Sequence, residues 1–113
     1  MRHGLIPNLL DSGINSRYNA RDATWFFMKS VVDYVEMSND YKIFDFEVNM
    51  VFLSDEYNDH NNKKNKGEKK LMKFCDIIQE ILQKHIKGIS FREWRAGKQI
   101  DEQMVDEGFN IRI

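Results

Sequence analysis

The chain has 113 residues, a formal net charge of −1, 31% charged and 42% hydrophobic side chains, which bounds it to one small globular domain and excludes a global field drawing it to nucleic acid or anionic lipid. Its single cysteine, Cys75, excludes an internal disulfide and suits a reducing compartment. No apolar run reaches the about 20 residues that span a bilayer, and the basic start "MRHGLIPNLL", broken by Pro7, does not read as a signal peptide.

Residues 4–16 read as a loop, because Gly4, Pro7, Asn8, Asp11, Ser12, Gly13, Asn15 and Ser16 interrupt any period. The spacing then predicts a helix over 22–37, with Asp22 as an N-cap whose carboxylate accepts the orphan N–H groups of the first turn. Trp25, Met28, Val32 and Val35 form one stripe, and Phe26, Phe27, Val31 and Tyr34 widen it over most of the circumference. Such a helix is buried on several sides and asks for more neighbours than this chain supplies.

Residues 41–53 stay open: the alternation from Phe44 to Phe52 is strand-like, and a short irregular segment fits equally well. Residues 57–70, "YNDHNNKKNKGEKK", read as a flexible, Asn/Lys-rich surface insertion. The other reading, a phosphate-binding patch, lacks aromatic residues among Lys63 to Lys70 to stack a base. A second helix is predicted over 68–87 from Leu71, Phe74/Cys75, Ile78, Ile81/Leu82 and His85/Ile86. Gly88 stands where a helix-ending glycine belongs, and Lys84, His85 and Lys87 suit the negative end of the dipole. Residues 88–113 read mostly as loop, with at most a short strand at 89–92.

His3, His60 and His85 are far apart and none has ligand spacing, so neither a metal nor a cofactor is expected. Cys75 lies on the apolar stripe of the second helix and reads as an inert core thiol. There is no glycine-rich phosphate loop and no nucleophile elbow.

Two clusters remain. One is Arg17, Tyr18, Asn19, Arg21, Asp22 and Trp25; the other is Arg92, Glu93, Trp94, Arg95, Asp101, Asp106 and Glu107. Aromatic faces beside planar hydrogen-bonding groups match a pyranose, whose C–H face stacks on indole or phenol and whose hydroxyls are read by Asp, Asn and Arg. The plainer reading is that Asp22 caps a helix and Arg21 pairs with a nearby acid. The two are compatible, because a cap carboxylate has a second oxygen.

The segments "RHGLIPNLL…RYNARDATWFF", "IQEILQKHIKGISFREWRAGKQID" and "DEGFNI" together resemble the C-terminal amylo-α-1,6-glucosidase region of eukaryotic glycogen debranching enzymes. The likeness runs from Arg2 to Ile111 and is interrupted mainly around 38–67. It implies a large cytoplasmic enzyme whose N-terminal barrel moves short glucan stubs (4-α-glucanotransferase) and whose C-terminal (α/α) toroid hydrolyses the remaining α-1,6-linked glucose. The fold so implied is mainly α, a partial slice of the toroid with long loops and a short strand, with residues 1–113 forming a fragment of the glucosidase domain.

The partners so implied are glycogen or another branched α-glucan and the remainder of the enzyme chain, with no cofactor, nucleic acid or membrane. Related toroid glycosidases line the terminal-glucose pocket with a tyrosine–asparagine–x–arginine–aspartate motif. Carried over, Asn19, Arg21 and Asp22 grip hydroxyls, Tyr18 and Trp25 shape the wall, and Arg92 and Glu93 line or brace the same pocket. The general acid and base, ~6.5–9.5 Å apart in an inverting glycosidase, fall beyond Ile113 in this resemblance, so no catalytic residue is assigned and the chain is expected to be inactive alone. The competing expectation is a small helical interaction module docking through the stripe of 68–87.

Overall fold

The structure, a computed structural model, describes residues 1–11, 15–52, 68–94 and 108–113. The chain enters through a tight turn in which Arg2 and Leu5 exchange backbone hydrogen bonds of 3.1 and 2.8 Å. Its central residues, His3 and Gly4, both sit at positive φ, as a type I′ turn requires. Strand β1 (Leu9–Asp11) then pairs antiparallel with β2 (Asn15–Arg17), Leu9 opposite Arg17, where only loop was expected.

Helix α1 (Ala23–Ser38) starts within a residue of the predicted boundary and ends at Asn39, whose left-handed φ of 55° lets its N–H reach the Val35 carbonyl at 2.9 Å. Within this chain its apolar circumference is only partly covered. Thr24 and Val35 are buried and Phe27 and Met28 are half-buried, while Trp25 and Phe26 are 47% and 69% exposed.

A 3₁₀ turn (Tyr41–Asp45) leads to β3 (Glu47–Phe52), which pairs in antiparallel register with β4 (Glu68–Lys73), Val48 opposite Met72 and Asn49 opposite Leu71. Val48, Met50 and Phe52 face inward, as strand alternation requires. Helix α2 (Phe74–Lys87) follows, with Asp76 in its first turn and Lys84, His85 and Lys87 in its last, each complementing the dipole. Finally β5 (Ser90–Trp94) pairs antiparallel with β6 (Gly108–Arg112), and Ile89 and Ile113 extend the ladder with bonds of 2.9 and 2.8 Å.

Two apolar clusters result. Leu5, Tyr18, Ile89, Phe91 and Ile111 form one. Met1, Ile77 and Ile81 form the other, with Phe27, Met28, Val48, Met50, Phe52, Met72 and Phe74 packed against it. The N-terminal turn joins them, since Met1 belongs to one cluster and Leu5 to the other.

The mainly α expectation is therefore corrected: the described residues hold two helices and three two-stranded antiparallel sheets. The second helix begins at Phe74, not at 68, because residues 68–73 are pulled into a strand by β3. Leu71, taken as the first member of a helical stripe, lies on the outer face of that strand. Residues 68–70 of the predicted insertion belong to β4, and 57–67 lie outside the described residues. The strand foreseen at 89–92 is β5, one edge of a pair. Cys75 is half-buried rather than a core thiol.

Gly4 (φ +83°) and Gly88 (φ +84°) both occupy backbone that L side chains rarely adopt. An added Cβ at Gly88 meets only the Ile113 carbonyl at 3.7 Å, so Gly88→Ala should cost the backbone strain alone, about 1–3 kcal/mol. At Gly4 it would lie 2.7 Å from Lys84 Cβ, on α2. Urea unfolding should show Gly4→Ala to be the more damaging of the two.

Candidate functional site

Residues 18–22 form an irregular turn between β2 and α1, and its backbone is held from outside. The Asn8 N–H donates to the Arg17 carbonyl at 2.8 Å, and the Asn8 side-chain oxygen accepts the Ala20 N–H at 3.3 Å. The Tyr18 N–H donates to Glu93 Oε1 at 2.7 Å. Beyond the turn, Thr24, fully buried, accepts the Ile6 N–H through its hydroxyl at 3.0 Å. Where a backbone amide would otherwise be buried unpaired, a remote side chain supplies the acceptor.

The consequence is felt at Asp22. It stands at the N-cap position with helical dihedrals (φ −80°, ψ −22°), and its side chain makes no capping bond. Its backbone carbonyl already takes the Phe26 N–H at 2.9 Å. The expectation that its carboxylate caps α1 is thus corrected, because a residue already in helical conformation does not aim its side chain back at the first-turn amides. Asn19, Arg21 and Asp22 are all exposed, and so is Trp25 in the first turn of α1. The Trp25 ring lies 4.8 Å from that of His85, at 58°, and His85 Nδ1 faces the Ile81 carbonyl at 2.7 Å.

Tyr18 and Glu93 sit beneath this exposed rim, 2% and 1% exposed. The Tyr18 ring packs edge-on to Phe91 at 6.4 Å, and the Arg2 guanidinium lies over both rings, 5.2 and 5.7 Å from their centres. Burial raises the Tyr18 hydroxyl above its ordinary pKa, a shift the Ser16 hydrogen bond and the Arg2 charge partly offset. Arg92 points the other way along β5, donating to the Gly108 carbonyl at 3.0 Å and to the Asn110 side-chain oxygen at 3.4 Å.

Asn19, Arg21, Asp22 and Trp25 are thus all exposed, in the turn and the first turn of α1 that follows it. Tyr18 and Glu93 lie under them, and Arg92 braces the β5–β6 pair. Arg95, Asp101, Asp106 and Glu107 lie outside the described residues. Asn8, Thr24, Arg2 and Phe91 were missed in the sequence, and their contacts with the turn and its flanks are remote in the chain, so no local pattern announces them. The described residues hold no cluster suited to a metal ion, and no helix among them is long and apolar enough to cross a membrane.

A family model described as amylo-α-1,6-glucosidase matches residues 1–112. The chain belongs to the amylo-α-1,6-glucosidase family. It is 47% identical over 115 residues to the glycogen debranching enzyme of Saccharomyces cerevisiae, a match that takes in all of this chain and 7% of the yeast protein's length. The exposed turn of this family member therefore lies within a segment alignable across its whole length.

With no capping bond to lose, Asp22→Ala should cost only an exposed charge–dipole attraction, about 0.3–1 kcal/mol at low salt and close to nothing at high salt. Urea unfolding at both salt concentrations checks this; a salt-independent loss of about 1 kcal/mol is the mark of a working cap. Tyr18 gives a pH prediction. Its folded pKa is raised, so its contribution to stability is complete below the unfolded value near ~10 and fades as pH rises through the folded one. Tyr18→Phe should remove that part of the alkaline loss of stability, measured as urea midpoints between neutral and strongly alkaline pH.

Proposed function

We propose that this segment forms part of the terminal-glucose pocket of a glycogen debranching enzyme, which hydrolyses α-1,6-linked glucose at branch points. The supporting observation is the carboxylate of Asp22, exposed and unused by its own helix, on a turn whose backbone is fastened by Asn8 and Glu93. An acceptor (Asp22), a forked donor (Arg21), an amide that does both (Asn19) and an indole face (Trp25) are what a pyranose needs around its rim and over its C–H face. The ligand is a glycogen stub or another branched α-glucan. The remainder of the enzyme chain supplies the general acid and base and the 4-α-glucanotransferase half, and the setting is cytoplasmic.

The rival reading, a module docking through the second helix, is weakened because Ile81 of that stripe is already buried, with Ile77 beside it, in a cluster of this chain. Leu82 and Ile86 remain exposed.

In the full-length enzyme, Asp22→Asn keeps shape and removes the charge that grips a hydroxyl. Charge-assisted hydrogen bonds are worth about 1.5–3 kcal/mol, so glucosidase kcat/KM should fall about 10–150-fold, with transferase activity spared. Glucose release from a limit dextrin and stub transfer are the two readouts; unchanged glucose release would count against the pocket role. The 113-residue chain alone should release no glucose from the same substrate.

A further inference from the structure

We infer that Glu93 is a positioning residue for the glucose-binding turn, acting through the backbone amide of Tyr18. The inference rests on the pocket reading above and deepens it. Along β5, Ile89, Phe91 and Glu93 share one face by strand alternation, and all three are buried. The first two belong to the apolar cluster with Tyr18. An apolar residue is the ordinary occupant of the third position, yet it holds a carboxylate that is 1% exposed.

That carboxylate has one use among the described residues. Oε1 accepts the Tyr18 N–H at 2.7 Å, and Oε2 is buried with no hydrogen-bond partner. The next residue in the chain is Asn19, and Arg21 and Asp22 follow on the same turn. Fixing the amide at 18 therefore sets where the sugar-facing side chains emerge. Asn8 fixes the same turn at 17 and 20, from the opposite side of the sequence. What Glu93 contributes is reach: its side chain carries an acceptor from β5 to a turn 75 residues away in sequence.

Because a single oxygen does this work, a neutral amide of the same length should serve, while a shorter acid should not. In the full-length enzyme, Glu93→Gln should keep glucosidase kcat/KM within about threefold of wild type. Glu93→Asp and Glu93→Ala should lower it on the order of 10–100-fold, the scale of a misplacement of about 1 Å, with transferase activity unchanged. If the alanine variant does not fold, the Gln-against-Asp ordering carries the test.

A double-mutant cycle separates positioning from packing: the Glu93→Asp loss should shrink to less than threefold in an Asp22→Asn background, since the turn then has less to present. Equal losses in both backgrounds, or a glutamine variant as impaired as alanine, overturn the inference while leaving the pocket reading standing. If Asp22→Asn itself leaves glucose release intact, the pocket reading falls instead.

Discussion

The bond from the Tyr18 amide to the buried Glu93 carboxylate is the constraint on which the site depends. An irregular turn between a strand and a helix has backbone groups that neither element can satisfy. Two solutions are open to a chain. Side chains of the turn can fold back onto its own amides, as Asx turns and N-caps do, or remote side chains can supply the acceptors. Here the second is used: Asn8 and Glu93 serve the turn, and Asp22 does not serve its helix. The division matters chemically, because a polar side chain engaged with its own backbone has less to offer a ligand.

The same logic organises the fold around the turn. The N-terminal residues act as a strap between two apolar clusters, with Met1 in one and Leu5 in the other. Arg2, over the faces of Tyr18 and Phe91, covers the cluster from which Glu93 reaches upward. The strap then crosses the start of α1, where the buried Thr24 hydroxyl meets the Ile6 amide. Thus the entry of α1, the β5–β6 pair and the turn are tied by polar contacts, of which the Tyr18–Glu93 bond is buried and so shielded from water, the Thr24–Ile6 bond part-buried and the Asn8–Ala20 bond exposed.

How far this was legible in the sequence varies from element to element. Helix α1 is legible because its apolar residues recur at helical spacing over sixteen residues. Residues 74–87 of the second predicted helix are helical for the same reason, with Gly88 at the end. Residues 68–73 were misread because Leu71 happens to fall in phase with Phe74 and Ile78. Only the pairing with β3, formed across the intervening insertion, decides that they extend. That is tertiary context overriding a local period. The short pair β1–β2 escaped notice because three-residue strands carry too little alternation to register.

In the turn, the sequence marks Arg17, Tyr18, Asn19, Arg21, Asp22 and Trp25 as one cluster; Asn19, Arg21, Asp22 and Trp25 are exposed, Arg17 is half-buried and Tyr18 is buried. It could not tell that Tyr18 would be buried beneath them, nor that Asp22 would leave its helix uncapped.

The chemistry of the exposed rim also argues for what kind of ligand it suits. A helix N-terminus ordinarily favours an anion, since its free amides and dipole are positive. At α1 that preference is opposed by the charge of Asp22, which stands at the N-terminus itself. A phosphate or carboxylate ligand would meet a carboxylate at close range there. A neutral polyol meets no such penalty. A hydroxyl both donates and accepts, so the mixed signs of Asp22, Asn19 and Arg21 that disfavour an ion are compatible with a polyol. Trp25 adds the apolar face that hydroxyl-reading groups alone lack. On the reading proposed above, "RD" beside "TWFF" pairs groups able to read a ring's rim with an aromatic able to stack on its face.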